Sequence, residues 1–369
     1  MDIRSYIEEA TEFLYSVLKW GPVDVLGVDI GQSAVRIAEV VRTKSGECHL
    51  VKFGCKFLPE GALIEDELVQ ADQVLEAIQS CVSESSFRKK EVCIGLSGTN
   101  TMSKKMQIAD GTDQEITDQV NWESEQYIPF GTEEAIVSYS IMGKNQGGGV
   151  DVMVAAAKKD LVESYKVLVS KSGLKLKIVD LDLFAVSNVF EIVLAEKHRT
   201  DEAGILLIDF GARKTNMIIY LKGMVVFTRE INLGGTVITE EIQRQLGLSY
   251  TEAEDLKIHG DENGNIPEEI VEIIRINLDN FFNEIRKTLT FFMTASTDIT
   301  LGSCYITGGT SLIPGLAEGL AKAIHVDVAY LNPFEKIRYN EKNFSDDDIN
   351  YIASCGCVAL GLALRKIKR

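Results

Sequence analysis

Two apolar runs that each close on an acid and a glycine do most to limit what this chain can fold into. They are Val25-Leu26-Gly27-Val28-Asp29-Ile30-Gly31 and Ile205-Leu206-Leu207-Ile208-Asp209-Phe210-Gly211. Each reads as a buried strand that stops at a carboxylate and turns tightly. Glycine is expected there to spare the bend a Cβ clash and to leave bare amides facing an anion. The two acids lie 209 − 29 = 180 residues apart, so the runs open two halves of the chain. One strand–Asp–Gly turn is commonplace in α/β proteins. Two in duplicate halves describe phosphates gripped from both sides, with two acids holding a metal between them.

The chain is long enough for this, since 369 residues can build two sizeable cores. Its 38 basic against 55 acidic residues, a net charge of −17, argue against nucleic acid as a main partner. Seven cysteines (48, 55, 81, 93, 304, 355 and 357) show no C-x-x-C spacing and read as reduced, buried thiols. The four histidines are scattered, which gives a His-based metal site no support. No apolar run approaches the ~20 residues that span a bilayer, and no signal-peptide pattern opens the chain, so a cytoplasmic protein is expected. Residues 2–19 read as an amphipathic helix, with Ile3, Tyr6, Ile7, Ala10, Phe13, Leu14, Val17 and Leu18 on one stripe. Its polar face is largely acidic, which suits docking onto protein better than onto lipid.

Periodicity predicts strands over 25–30, 33–42, 48–57, 91–96, 137–142, 150–157 and 175–180 in the first half. Helices are predicted over 72–82, 113–126, 161–172 and from 183 to about 194. In the second half, strands over 216–221 and 224–231 precede helices over 236–246 and 249–257, the latter opened by a Ser249/Glu252 capping box. A long helix follows Pro267, then a strand over 303–307. A last helix is expected from about 347 to the end, its basic finish suiting a helix C-terminus.

The clamp assigns Asp29 and Asp209 to Mg²⁺, each through the ion's water shell. Gly31, Gln32 and Ser33 on one side, and Gly211, Ala212, Lys214 and Thr215 on the other, supply amides, hydroxyls and a phosphate cation, Lys214. A third glycine turn, Ile306-Thr307-Gly308-Gly309-Thr310, reads as a strand, a diglycine bend and a helix start. Paired glycines there let a flat base lie against bare backbone. Neither G-x-x-x-x-G-K-[ST] nor G-x-G-x-x-G occurs, so P-loop and Rossmann readings fall away.

Asp29/Gly31, Asp209/Gly211 and Thr307-Gly308-Gly309 resemble the phosphate-1, phosphate-2 and adenosine motifs of the actin-like ATPases, which include Hsp70, sugar kinases and FtsA. Gly356-Cys357-Val358-Ala359-Leu360-Gly361 is similar to the second connecting helix of that fold. Within the superfamily the chain resembles the PilM family of type IV pilus assembly. The marks are Leu58-Pro59-Glu60-Gly61 with Ile64, Trp122-Glu123-Ser124-Glu125-Gln126-Tyr127-Ile128-Pro129-Phe130, Val179-Asp180-Leu181-Asp182-Leu183-Phe184-Ala185 and Asn332-Pro333-Phe334. The resemblance covers about residues 22–364.

What the resemblance implies is an α/β fold of two actin-like (ribonuclease H-like) domains around a nucleotide cleft, binding ATP or ADP with Mg²⁺. The first domain is expected over 22–200 with a small inserted α/β subdomain at about 95–153. The second spans 201–345, and a C-terminal helix over 346–369 returns to the first. By the same similarity Gly234, Gly235, Glu254 and Lys257 approach the nucleoside, and Gly308, Gly309 and Thr310 the adenosine. Asp182, with Asp180 next, is the candidate for orienting an attacking water. The implied partner is the N-terminal cytoplasmic peptide of a PilN-like membrane protein, held between the inserted subdomain and the first domain. Gln32 departs from the Thr or Ser found at that place in many actin-like enzymes. No tuned catalytic pair is visible, so binding is a firmer expectation than turnover. An FtsA-like filament protein and an actin-fold small-molecule kinase are the alternatives.

Overall fold

Side-chain parity along the two signature strands sets the architecture. In the computed structural model, which describes residues 23–64, 67–145, 147–194, 202–295 and 299–367, the strands run Leu26–Ile30 and Gly204–Phe210. Alternate side chains on a strand face opposite sides of its sheet. Leu26, Val28 and Ile30 therefore pack into one core with the helices Ala71–Glu84 and Lys159–Lys171. Leu206, Ile208 and Phe210 pack likewise against the long helix Glu268–Ala295. The opposite parity, Ile205 and Leu207, belongs to a third core shared by both halves, with Val186, Val189 and Phe190 of the helix Asp182–Val193. Asp209 has that same parity, so it faces the other half.

The halves repeat one topology. In the first sheet the strand order is Lys175–Leu181, Glu91–Leu96, Leu26–Ile30, Ala34–Arg42, Cys48–Phe57 and Ile337–Tyr339; in the second it is Val328–Tyr330, Leu301–Thr307, Gly204–Phe210, Thr215–Leu221 and Met224–Ile231. Each half opens with three antiparallel strands and adds two parallel ones on the other side of the first. The extra strand, Ile337–Tyr339, pairs parallel with Cys48–Phe57. The chain thus rejoins the first sheet before residue 346, earlier than expected.

The insertion is a three-stranded antiparallel sheet ordered Thr101–Ile108, Val150–Lys158, Ala135–Lys144, covered by the helix Asp113–Ser124. A Thr112/Glu115 capping box starts that helix. Gly95 lies in the large sheet and the small one runs on to Lys158, so both ends of the insertion sit later than the expected 95–153.

The expected C-terminal helix is two. Asp346–Cys355 and Cys357–Ala363 break at Gly356, where a Cβ would come within 2.7 Å of Ile352 O. A short strand, Lys366–Ile367, then pairs antiparallel with Val23–Asp24. Arg365 and Lys366 therefore do not finish a helix. Arg365 Nε lies 2.6 Å from Asp180 Oδ2 and Lys366 Nζ 3.4 Å from Asp24 Oδ1. The amphipathic segment 2–19, Lys368 and Arg369 lie outside the described residues.

The two connecting helices cross with nothing between their backbones. A Cβ on Gly361 would stand 1.8 Å from Ala185 O, and Asn188 Nδ2 donates to Gly361 O at 3.3 Å. Gly27 meets the same helix, its missing Cβ 2.0 Å from Ala359 O. Around the crossing, Phe190 stacks on Tyr220 with centroids 4.5 Å apart, and Ser187 hydrogen-bonds the Tyr220 hydroxyl.

Candidate functional site

The two Asp–Gly turns close in the same way. Gly31 N–H donates to Ala34 O at 3.1 Å, and Gly211 N–H to Lys214 O at 2.8 Å. This corrects the expectation that these amides face an anion, since both are spent inside their turns. Neither glycine has a positive φ. A Cβ on Gly31 would meet only ordinary contacts at 3.4 Å, whereas one on Gly211 would stand 2.9 Å from Lys214 O. Glycine is required by close approach at the second turn and not at the first.

Three segments distant in sequence meet at the second turn. Gly235 N–H donates to Gly211 O (3.2 Å) and Thr236 N–H to Ala212 O (2.8 Å), while the Thr310 hydroxyl donates to Gly211 O (2.8 Å). A Cβ on Gly234 would lie 2.3 Å from Ala212 O, and one on Gly235 2.5 Å from Thr310 Oγ1. Gly308 takes φ +89°, a conformation suited to glycine, and its Cβ would lie 2.3 Å from Phe210 O and 2.6 Å from Asp209 Oδ1. The turns at residues 211–215 and 308–310 are thereby one contiguous surface. The helix expected after Gly309 starts only at Leu316; residues Gly309–Leu312 form a 3₁₀ turn. Gly309 packs against the Cys355 thiol.

Four carboxylates face this region. Asp29 and Asp209 are both nearly buried. Across the antiparallel ladder Arg36 stands opposite Asp29, and Asn216 opposite Asp209. Arg36 Nη1 lies 3.4 Å from Asp29 Oδ2, and its Nε donates to the Tyr351 hydroxyl at 3.0 Å. Burial pushes the Asp29 carboxyl above its ordinary value, with Arg36 pulling it back. Burial pushes Asp209 up to about 6, opposed by a hydrogen bond from Asn216 and aided by the charge of Asp29. Asp182 is the first residue of its helix and lies hard against Gly95, whose Cβ would fall 1.9 Å from Asp182 Oδ1. Burial and then Asp29 hold Asp182 well above the usual carboxylate range, against a hydrogen bond with Ser97, and Asp209 and Glu230 add to the rise. Asp180, by contrast, is tied to Arg365 outside this cluster.

The remaining predicted residues divide by what their polar atoms do. Gln32 Nε2 is buried and has no hydrogen-bond partner among the described residues. Lys214 Nζ lies 3.9 Å from Glu230 Oε1. The Thr215 hydroxyl is spent on Leu233 O at 2.7 Å. The Lys257 ammonium is buried between Glu254 Oε2 (2.6 Å), Thr239 Oγ1 (2.8 Å) and Gly235 O (3.3 Å), and Thr239 also bonds Glu254. Burial lowers the Lys257 pKa, with Glu254 opposing. This pair braces the first turn of the helix Gly235–Leu246, which the Ser249/Glu252 box helps align by starting its neighbour Tyr250–His259. Among the described residues no three of His, Cys, Asp and Glu form a direct metal site. Sequence reasoning missed Arg36 and Tyr351. The hairpin spacing that sets Arg36 seven residues after Asp29 was the available signal for the first.

The profile of the family described as type IV pilus assembly protein PilM matches residues 27–367. The chain belongs to the PilM family. Its fold superposes on a solved PilM-PilN type IV pilus biogenesis complex with a TM-score of 0.82, at 28% identity over 93% of this chain and 98% of that one. The ethanolamine utilization protein EutJ of Carboxydothermus hydrogenoformans shares the fold at TM-score 0.56 and 14% identity, covering 93% of this chain and 90% of that one. Among sequences, the cell division protein FtsA of Pseudomonas aeruginosa is 21% identical over 392 residues, spanning 93% of this chain and 89% of that protein. The α/β fold with two actin-like sheets is therefore that of the PilM family. No helix among the described residues is long and apolar enough to cross a membrane.

Proposed function

We propose that this PilM-family protein binds Mg-ATP or Mg-ADP in the cleft between its sheets, and that the bound nucleotide sets its grip on the N-terminal cytoplasmic peptide of a PilN-like inner-membrane protein. One observation carries the nucleotide reading. Turns from residues 211–215, 234–236 and 308–310 meet in backbone contact beside buried acids and a Gln32 Nε2 that has no partner among the described residues. A magnesium nucleotide supplies a compact positive centre and anionic oxygens, which is what such acids and donors lack. Asp29 and Asp209 would hold the ion through its water shell. Gln32, Ser33, Ala212 and Lys214 would meet the phosphates. Gly234 and Gly235, braced by Glu254 and Lys257, would line the nucleoside, with Gly308, Gly309 and Thr310 opposite.

Asp182 is the candidate for orienting a water for slow hydrolysis. Burial and the charge of Asp29 raise its pKa, which makes its carboxylate a better proton acceptor. Thr215 and Thr310 act through the backbone they tie. The partner reading draws on family membership and on the likeness to the solved PilM–PilN complex. Residues 22–200, with the insertion, and 201–336 would be the two domains that a nucleotide draws together. A ligand biases such a shape only through its differential affinity for the two states.

The test is calorimetric titration of a PilN-type N-terminal peptide into the protein with Mg-ATP, with Mg-ADP and without nucleotide. Peptide binding that changes with nucleotide supports a nucleotide-gated adaptor. Binding indifferent to nucleotide leaves a scaffold in which ATP is structural. No peptide binding, with ATP still bound, reopens the filament and kinase readings.

A further inference from the structure

Glu230 closes the strand Met224–Ile231 at the edge of the second sheet, and its two oxygens face different ways. One accepts the backbone N–H of Gly98 at 2.9 Å; the other lies 3.9 Å from Lys214 Nζ. Gly98 belongs to the other half. It is the bend where the chain leaves the strand Glu91–Leu96 and enters the inserted sheet. The bend is well defined: φ is +92°, and Gly98 O accepts both Thr101 N–H (2.8 Å) and the Thr101 hydroxyl (2.9 Å). Ser97, one residue earlier, hydrogen-bonds Asp182. Farther along the same strands the Ser103 and Thr228 hydroxyls pair at 3.0 Å. The insertion's outgoing stem is tied to its incoming one, with Lys158 N–H donating to Asn100 O at 2.9 Å. The small sheet therefore leaves the first domain on two linked stems, and a carboxylate of the second domain holds one of them.

We propose that Glu230 is a latch coupling the phosphate side of the cleft to the orientation of the inserted subdomain; this rests on the nucleotide reading above. A carboxylate bonded to a backbone N–H is a charge-assisted contact, stronger than a neutral one and sensitive to neighbouring charge. An anion on the turn Gly211–Lys214 competes for the Lys214 ammonium. It also adds negative charge beside a carboxylate that already faces Asp182. Both effects loosen Glu230 from Gly98, and the linked stems then move as one piece. The apolar crossing of the connecting helices stays packed, so the change is confined to the insertion's side of the cleft. The face that a partner peptide meets would thereby depend on what occupies the phosphate site. Glu230 acts here as a positioning residue, through Gly98 and Lys214.

The experiment is amide hydrogen exchange on the full chain, resolved at residues 97–101, without nucleotide and with saturating Mg-ADP or Mg with a non-hydrolysable ATP analogue. Calorimetry in parallel reports whether the nucleotide binds. The expected result is that nucleotide speeds exchange at Gly98 by about tenfold, within the usual range of coupling between linked sites. In Glu230→Ala, which removes the acceptor, Gly98 exchanges fast with or without nucleotide. If nucleotide binds the wild-type protein and Gly98 exchange stays unchanged, the latch is overturned while the nucleotide reading stands. If no nucleotide binds, both fall. A slow Gly98 amide in folded Glu230→Ala also overturns the proposal. The wild-type measurement decides the matter alone should the variant not fold.

Discussion

The two signature hairpins share a register and differ in what stands opposite the acid. Seven residues after each acid, on the neighbouring strand, the first hairpin carries Arg36 and the second Asn216. The first acid is thus held by a buried ion pair that reaches on to Tyr351 in the helix Asp346–Cys355, and Cys55 meets the same hydroxyl at 3.1 Å. The second acid has a neutral amide, and burial carries it up to about 6. The turns differ in reverse. The first makes few outside ties, while the second is stapled by Thr236, Gly235 and Thr310. One half secures its acid through charge; the other secures its backbone and leaves its acid close to titration. A duplicated scaffold therefore does not imply duplicated chemistry.

Removing the cation should have the largest effect. Arg36→Met leaves Asp29 buried without its ion-pair partner, at a cost of roughly 3–5 kcal/mol in urea unfolding. Adding Asp29→Asn should recover much of that. Asn216→Ala in the other hairpin should cost only about 1 kcal/mol. Equal losses at Arg36 and Asn216 would break the contrast.

Acidity should come next. The Asp209 carboxyl moves from an ordinary 3.8 to about 6 in the folded protein, so the folded state holds the proton more tightly than the unfolded one. Its contribution is favourable at low pH and is lost as pH rises from about 4 through 6, by roughly 3 kcal/mol. Nucleotide-free protein should therefore unfold at a higher temperature at pH 5 than at pH 7.5. Asp209→Asn should remove a large share of that difference, and Asp29 and Asp182, raised in the same direction, should keep the rest. An unchanged pH profile in Asp209→Asn would place the titration elsewhere.

The glycines sharpen the backbone side of the comparison. Gly211→Ala must displace Lys214 O and should cost about 1–3 kcal/mol, while Gly31→Ala meets only ordinary contacts and should cost under about 1 kcal/mol. Thr310→Val should likewise cost only about 1 kcal/mol, for the lost staple on Gly211 O, read as a modest drop in thermal midpoint.

What sequence made legible was local. The Asp–Gly runs, the diglycine at 308–309 and the Ser249/Glu252 box are short patterns whose physics acts within a few residues, and the structure forms all three as turns or caps. Long-range partners were not legible. Ile337–Tyr339 is too short to show a strand period, yet it completes the first sheet. The break at Gly356 is hidden by apolar residues on both sides that read as one helix. Lys257 has the composition of a solvated helix face, and only the approach of Gly235 and Thr239 explains its burial. Glu230 carries no signal at all without Gly98, a residue of the other half.

Where Gly361 meets Ala185, two helices touch main chain to main chain. A junction built from side chains can slip, because rotamers rearrange to let surfaces slide. Bare backbones have no such freedom. The two helices can roll across one another but cannot be displaced along one another without opening a gap that nothing fills. That crossing is a fixed seat: any side chain at position 361 would force the two helices apart, because no neighbouring rotamer can turn aside to admit it.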